Sequence, residues 1–165
     1  MTLKIREATD EDIPTIKRVL YEAVGWDPDR RLPPMEVTVV MPQLALYHRG
    51  WGRRGDFAVV AEVGDQVVGG AMCRLFTEDE HGEGFYDEST PELGVAVWGE
   101  RRGEGIGTRL IEELEQRLVS NGIGAISLSV ESANRAHHLY ERLGYELVAE
   151  RDGDLLMLKK LSKEG

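Results

Sequence analysis

Three glycines at alternate positions precede an amphipathic helical pattern in the stretch WGERRGEGIGTRLIEEL, which begins at Trp98. Gly103, Gly105 and Gly107 have no Cβ atom, so the backbone there can approach a ligand closely. The first N–H groups of a helix lack internal partners, and the helix dipole adds about half a positive charge at that end. This arrangement favours a pyrophosphate site, although an ordinary strand-to-helix turn can carry the same glycines.

The glycine spacing differs from that of two common phosphate-binding motifs. A P-loop requires a lysine after its last glycine, whereas Thr108 follows Gly107 directly. A dinucleotide fingerprint is G-x-G-x-x-G in the first strand–helix unit, whereas this G-x-G-x-G stretch comes after several predicted strands. A nucleotide-phosphate enzyme therefore stays an alternative interpretation of the loop.

A second set of residues follows the loop in the stretch SVESANRAHHLYERLGYE. The two stretches together resemble the GNAT superfamily of acyl-CoA N-acyltransferases. The pyrophosphate motif of that family, Arg/Gln-x-x-Gly-x-Gly/Ala, is matched by Arg102, Gly105 and Gly107. Its second signature is matched by Asn134, Ala136, Leu139, Tyr140, Leu143, Gly144 and Tyr145. The resemblance covers roughly residues 92–146, and the first ninety residues match only in the order of their elements.

The resemblance implies that acetyl-CoA is the co-substrate and lies between two splayed parallel strands, residues 92–98 and 125–130. It implies that the strand backbone at Val95, Ala96 and Val97 contacts the pantetheine arm. The implied pyrophosphate loop consists of Arg102, Gly103, Glu104, Gly105, Ile106, Gly107 and Thr108. Asn134 would contact the pantetheine, and Ala136, Leu139 and Tyr140 would lie on the helix near the sulfur.

Acetyl transfer to an amine requires a deprotonated amine and a departing thiolate. At pH 7, deprotonation costs about 4.6 kcal/mol for a side-chain amine but only about 1 kcal/mol for an α-amino group. Tyr140 is the candidate acid by its place in the family motif, with plain core packing as the alternative. Glu92 at the start of ELGVAVW is the candidate base, with an exposed strand-edge charge as the alternative. Glu83, Asp87, Glu88 and bulk water are the competing bases.

The charge of the chain bears on its partners. The formal net charge is −10, which argues against nucleic acid as the main partner. It favours a cationic small molecule or a basic peptide as the amine acceptor, or it serves only solubility. Arg101, Arg102 and Arg109 form a local basic cluster for an anionic cofactor, unless they pair with neighbouring glutamates on a solvated surface.

Hydrophobic periodicity predicts seven strands and about four helices over the chain. We therefore expect a mixed α+β fold of the GNAT type, with a mostly antiparallel sheet and a central splayed parallel pair. Thr9 is expected to cap the first helix and Ser132 the last. Residues 35–49 favour a helix broken near Pro42. Asn121 and Gly122 are expected to end the helix that follows the glycine loop.

Length and composition limit the remaining possibilities. A chain of 165 residues with 41% apolar content predicts a single domain over residues 1–165. No apolar segment is long enough for a signal peptide or a membrane span, so we expect a cytoplasmic protein without membrane contact. Cys73 is interpreted as a buried, inert thiol, and the four histidines lack metal-ligand spacing, so no metal site is predicted. A homodimer and a non-catalytic CoA-binding regulatory module stay open.

Overall fold

The computed structural model describes residues 2–162, which contain seven strands, five α-helices and two short 3-10 turns. The strands are β1 (Leu3–Glu7), β2 (Phe57–Val63), β3 (Gln66–Arg74), β4 (Glu92–Val97), β5 (Ala125–Glu131), β6 (Glu146–Arg151) and β7 (Asp154–Lys160). The helices are α1 (Ile13–Val24), α2 (Met35–Thr38), α3 (Pro42–Ala45), α4 (Ile106–Ser120) and α5 (Ala136–Arg142). The 3-10 turns cover Asp10–Asp12 and Gly99–Arg101.

All seven strands belong to one sheet in the order β1-β2-β3-β4-β5-β7-β6. Each neighbouring pair is antiparallel except β4 and β5, which run parallel at the centre of the sheet. These two strands pair only at Glu92 and Ser127 and then separate. The expected mixed fold with a central splayed parallel pair is confirmed.

Helices cover both faces of the sheet because each has one apolar stripe to bury. The apolar positions of α4 are Leu110, Ile111, Leu114 and Leu118, and all four side chains are fully buried against the sheet. Ile16, Val19 and Leu20 of α1 are buried on the opposite face. Burial of each such side chain contributes about 1.5–3 kcal/mol to stability. It holds α4 on one face of the sheet and α1 on the other.

Local signals account for most helix boundaries. Thr9 and Asp12 form the expected capping box before α1. The broken helix near Pro42 is confirmed as α2 and α3, with the proline in the first turn of α3. The expectation for Ser132 is wrong, because its backbone N–H donates to Gly153 and α5 begins only at Ala136.

The prediction of an inert thiol agrees with the fold, since Cys73 lies fully buried in β3. Burial raises the pKa of this thiol far above its ordinary value, so the reactive thiolate does not form at neutral pH. Among residues 2–162, no helix has the length and apolar character needed to span a bilayer.

Candidate active site

The turn between β4 and α4 presents a run of unpaired backbone N–H groups. The Arg102 amide donates to Gly99 and the Arg109 amide to Gly105, but the amides of residues 103–108 find no acceptor within the described part of the chain. Six consecutive free donors therefore stand at the start of a helix of 15 residues. The helix dipole points its positive end at the same place, so the turn is suited to bind an anion.

Glycine is required in this turn for its backbone conformation rather than for internal packing. Gly103 and Gly105 have φ values of +84° and +80°, in the left-handed region that favours glycine. A Cβ atom on either residue would meet no atom within 4 Å. Gly107 has ordinary helical φ, and its Cβ would lie 3.8 Å from Val97 and 4.0 Å from Leu139. The space beside Gly107 is therefore bounded by β4 and α5.

The free edge of β4 continues the line of unpaired donors. The Trp98 amide donates to Val68 of β3 at 2.8 Å, and successive N–H groups of a strand point to opposite edges. The amides of Val95 and Val97 consequently face the gap that β5 leaves as it diverges. Ala96 differs, because its backbone faces β3 and it pairs there with Gly70.

The other residues of the predicted cofactor loop divide into buried and exposed side chains. Ile106 is 3% exposed and belongs to the core, so only its backbone can face a ligand. Arg102 is exposed, and its Nε donates to the Val97 carbonyl at 3.3 Å. Arg101 pairs with the exposed Glu104 at 3.3 Å. Arg101 therefore pairs with a glutamate, which was the alternative for the basic cluster. Arg102 has no acidic partner among residues 2–162.

The residues of the second motif lie on α5, across the gap from α4. Asn134 lies just before this helix, and its Oδ1 accepts the amide of the first helical residue, Ala136, at 2.9 Å. Its Nδ2 atom remains available as a donor. Tyr140 is half-buried, and Leu139 beside it is partly exposed. Burial raises the pKa of Tyr140 to about 12, so the phenol is protonated at neutral pH.

Glu92, at the first position of β4, is almost completely buried, with 3% exposure. The interpretation as an exposed strand-edge charge is therefore wrong. The Tyr47 hydroxyl donates to Oε2, whereas Oε1 is buried and has no hydrogen-bond partner among the described residues. Burial raises the pKa of Glu92 to about 7, although the bond from Tyr47 partly opposes this effect. Such a carboxylate exchanges protons near neutral pH.

The acidic segment before β4, residues 77–91, is folded over Glu92. A Cβ atom on Gly82 would lie 2.9 Å from Glu92 Oε1, and one on Gly84 would lie 2.8 Å from its carboxyl carbon and 2.7 Å from the Ser129 nitrogen. The Ser127 hydroxyl also donates to the Gly84 carbonyl at 2.6 Å. Residues 82–84 therefore occupy the point where β4 and β5 separate, and only glycine fits at the two close contacts.

The alternative bases in this segment are not equally placed. Asp87 accepts the Ser89 amide and Glu88 accepts the Glu78 amide, both at 2.9 Å, so each already has a backbone donor within the segment. Glu83 is exposed, and its charge contributes to the raised pKa of Glu92. Among the acidic side chains of this segment, Glu83 is therefore the one whose charge raises the pKa of Glu92.

Sequence reasoning missed Tyr47 and the two residues that anchor its segment, Asp56 and Arg74. Arg74 ends the apolar run GGAMCR of β3 and is fully buried. A charged residue that closes an apolar strand needs a buried partner, and that was an available signal. No feature of the sequence places Tyr47 beside Glu92, because the two residues are separated by 45 positions.

Three side chains on α5 lie close enough together to ligate a metal ion, although no metal site was predicted. The ligand atoms of His137, His138 and Glu141 lie within 4.8 Å of one another. His137 is half-buried and the other two side chains are exposed. His137 also lies 3.1 Å from Glu141 in an ordinary i, i+4 pair, which accounts for the arrangement without a metal.

Two acetyltransferases are similar to this chain in sequence. An acetyltransferase from Sodalis glossinidius, SG1711, is 34% identical over 110 residues, which cover 66% of this chain and 68% of that protein. The L-methionine sulfoximine/L-methionine sulfone acetyltransferase of Pseudomonas aeruginosa is 28% identical over 154 residues, covering 89% and 82%.

A solved structure of the same fold carries a bound cofactor. The structure of yncA from Salmonella typhimurium, a putative acetyltransferase with its cofactor acetyl-CoA, matches with a TM-score of 0.70. The sequences are 23% identical, and the match covers 100% of this chain and 97% of the other. The family described as the acetyltransferase (GNAT) family matches residues 22–145. The chain therefore belongs to the GNAT acetyltransferase family.

Proposed function

We propose that this protein transfers the acetyl group of acetyl-CoA to a primary amine by direct attack in a ternary complex. The observation that carries the proposal is the arrangement along β4. A buried carboxylate with a pKa near 7 stands at its start, and a cradle of six free amides follows its end. In the reaction, the amine nitrogen bonds to the thioester carbonyl carbon, the carbon–sulfur bond breaks and the amine loses a proton.

The cofactor contacts follow from the free donors. The amides of residues 103–108 would bind the pyrophosphate, and Arg102 lies at the same end of β4 to attract its charge. The Val95 and Val97 amides would bind the pantetheine arm along the open strand edge. Asn134 would donate to the arm through Nδ2. Ala96 would contribute only by its position between the two donors, since its backbone pairs with β3.

Glu92 is proposed as the base. Its buried Oε1 has no partner among the described residues, and such an oxygen is stabilised by a donor such as an ammonium group or a water molecule. A pKa of about 7 is close to the value of about 7.7 for an α-amino group and far from the value of about 10.4 for a side-chain amine. Proton transfer is easiest between groups of similar pKa.

This match of pKa values favours an α-amino acceptor in an amino-acid derivative or a peptide. The related acetyltransferase of Pseudomonas aeruginosa, whose name gives L-methionine sulfoximine as its substrate, supports an acceptor of that size and class. The acceptor is a cation before it loses its proton, so the exposed acids of the segment before β4 would attract it.

Tyr140 is proposed to assist the leaving sulfur. Its pKa of about 12 is higher than the value of about 8.5 for a thiol, so full proton transfer to the thiolate is unfavourable. A hydrogen bond from the neutral phenol still stabilises the negative charge that develops on sulfur. Its role is therefore donation of a hydrogen bond, and the thiol gains its proton from solvent or from the protonated base.

Ligand selectivity and turnover test the proposal together. We expect acetyl-CoA at one hundred times its Kd to raise the free energy of unfolding by about 2.7 kcal/mol, and so to raise the melting temperature. ATP and NAD should leave the melting temperature unchanged. We also expect turnover with a panel of amines, fastest for α-amino acceptors. Equal stabilisation by ATP would support a nucleotide-phosphate enzyme instead. Binding of acetyl-CoA without turnover on any amine would support a regulatory module.

A further inference from the structure

A buried ion pair fixes the segment that carries Tyr47. The side chains of Arg74 and Asp56 are 0% and 1% exposed and form two parallel hydrogen bonds, each 2.8 Å long. The remaining Arg74 nitrogen donates to the carbonyls of Leu46 and Arg49, at 3.0 and 2.7 Å. The backbone on both sides of Tyr47 is therefore attached to the end of β3.

The attachment point lies directly opposite Glu92. Arg74 and Glu92 are paired positions of the antiparallel strands β3 and β4, and paired residues point to the same face of a sheet. The Tyr47 ring also packs edge-on against Phe76, with ring centroids 5.2 Å apart. These contacts leave the Tyr47 hydroxyl in one place, where it donates to Oε2 of Glu92.

We propose that Tyr47 is a positioning residue for the base, holding Oε2 of Glu92 so that Oε1 is the oxygen that accepts the proton of the amine. The proposal rests on the assignment of Glu92 as base in the proposed function. A carboxylate whose rotation is fixed by one strong donor presents its other oxygen in a constant direction. Positioning of this kind accounts for a large part of catalysis.

The groups around Glu92 make Tyr47 its main side-chain partner. The charge of Glu83 raises the pKa of Glu92, and the Gly84 amide lowers it without forming a hydrogen bond of normal geometry. The nearby charge of Arg74 is matched by Asp56. Within residues 2–162, the Tyr47 hydroxyl is the one side chain that donates a hydrogen bond to Glu92.

The hydroxyl also keeps Glu92 usable as a base at neutral pH. Burial favours the protonated carboxyl, whereas donation from Tyr47 favours the ionised form. Burial and the charge of Glu92 raise the pKa of Tyr47 well above its ordinary value, so Tyr47 stays a proton donor. Loss of the hydroxyl therefore shifts the ionisation of Glu92 to higher pH.

The pH dependence of kcat/KM tests the proposal with three variants. Tyr47→Phe keeps the ring packing on Phe76, and we expect it to move the acidic limb of the profile upward by about one to two pH units. Glu92→Gln should lower kcat/KM and leave in the acidic limb only the ionisation of the amine itself, at about pH 7.7 for an α-amino acceptor. Tyr21→Phe is the matched control, because its exposed hydroxyl donates only to the Pro33 carbonyl, and the limb should stay in place.

Direct titration of Glu92 gives a readout that does not depend on turnover. Carbon-13 NMR of the Glu92 carboxyl in the free protein should give a midpoint near 7 for wild type and a higher one for Tyr47→Phe. Site-specific replacement of Tyr47 by 3-fluorotyrosine, a stronger donor of nearly the same size, should lower the midpoint. This second change keeps the test decisive even where Tyr47→Phe folds poorly.

The outcomes separate the two proposals. A Glu92→Gln profile that parallels wild type at a constant ratio over the whole pH range would overturn Glu92 as base, and the failure would lie in the proposed function. A Glu92→Gln profile that departs from wild type, together with an unmoved limb and an unmoved NMR midpoint in Tyr47→Phe, would overturn the role of Tyr47 alone.

Discussion

Glu92 shows at the scale of one residue how a functional group can lower stability. A carboxylate in the core loses hydration that a single donor does not fully replace. The folded protein therefore binds the Glu92 proton more tightly than the unfolded chain does, as the raised pKa of about 7 shows. The stability that this proton contributes is complete below the ordinary pKa of 4.5. It is lost as the pH rises through about 7.

Glu92→Gln should consequently stabilise the protein only at higher pH, since glutamine resembles the protonated carboxyl. We expect a gain near zero at pH 4.5 that grows to about 3 kcal/mol above pH 8, from the two pKa values and about 1.4 kcal/mol per pH unit. Urea unfolding at several pH values measures the gain. Glu112→Gln, an exposed position on α4, is the control, and an equally pH-dependent gain there would contradict the explanation.

At the scale of elements, the start of α4 combines a backbone conformation with an open space. The left-handed φ of Gly105 turns the chain from β4 into the helix and leaves the first amides free. Gly107 then faces the region between β4 and α5. A side chain at this position would be accepted by the fold but would take up space beside the proposed cofactor contacts.

Gly107→Val should therefore weaken acetyl-CoA binding by about tenfold or more, equivalent to at least about 1.4 kcal/mol, without lowering the melting temperature. Valine is a slightly better helix former than glycine, and the added Cβ makes contacts of ordinary length. Isothermal titration calorimetry measures the affinity. Gly124→Val, in an open position just before β5, should bind acetyl-CoA as wild type does. Unchanged affinity in Gly107→Val would mean that the glycine turn only connects β4 to α4.

The sequence predicted elements better than the contacts between them. Periodicity and turn residues are local, so the seven strands, the break near Pro42 and the glycine turn could all be derived from short stretches. Ser132 was expected to cap α5, whereas Asn134 accepts the first helical amide; both residue types cap helices, and the choice depends on where the chain leaves β5. Residues of similar local preference are distinguished only by the tertiary structure.

The environment of Glu92 could not be derived in this way. Its burial results from residues 82–84, which lie in a stretch rich in acidic residues, and from Tyr47, which lies in the stretch that favours a broken helix. Two glycines give no hydrophobic signal, although their lack of a side chain is what permits the close contact. The position of Glu92 at the start of β4 was predictable, but its protonation behaviour required the fold.

At the scale of the whole molecule, two arginines attach the N-terminal half to the centre of the sheet. Arg30 forms two hydrogen bonds, of 2.7 and 2.8 Å, to Glu131 at the end of β5. Arg74 attaches the segment around Tyr47 to the end of β3. The two attachments lie at strands on either side of β4. The segments around Arg30 and Tyr47 are thereby held beside the central strands.

The Arg74–Asp56 pair should be the more important attachment for stability because it is fully buried. Removal of one partner leaves an uncompensated charge in the core, which costs about 3–5 kcal/mol. Asp56 also accepts the Gly52 and Arg53 amides, so its loss frees the turn that follows Tyr47. We expect Asp56→Ala to lower the free energy of unfolding by that amount, out of a total of about 5–15 kcal/mol typical of a domain.

Glu80→Ala provides the matched comparison for Asp56→Ala. It breaks the ion pair between Arg49 and Glu80, whose side chains are 62% and 56% exposed. It should therefore change the free energy of unfolding by about 1 kcal/mol or less. Chemical denaturation of both variants measures the difference. Because Asp56 fixes Arg74, which holds the carbonyls of Leu46 and Arg49 on both sides of Tyr47, the folded Asp56→Ala protein should also lose kcat more than affinity for acetyl-CoA. Equal stability of the two variants would show that the buried pair does not anchor this segment, and the rigid placement of Tyr47 over Glu92 would then need another cause.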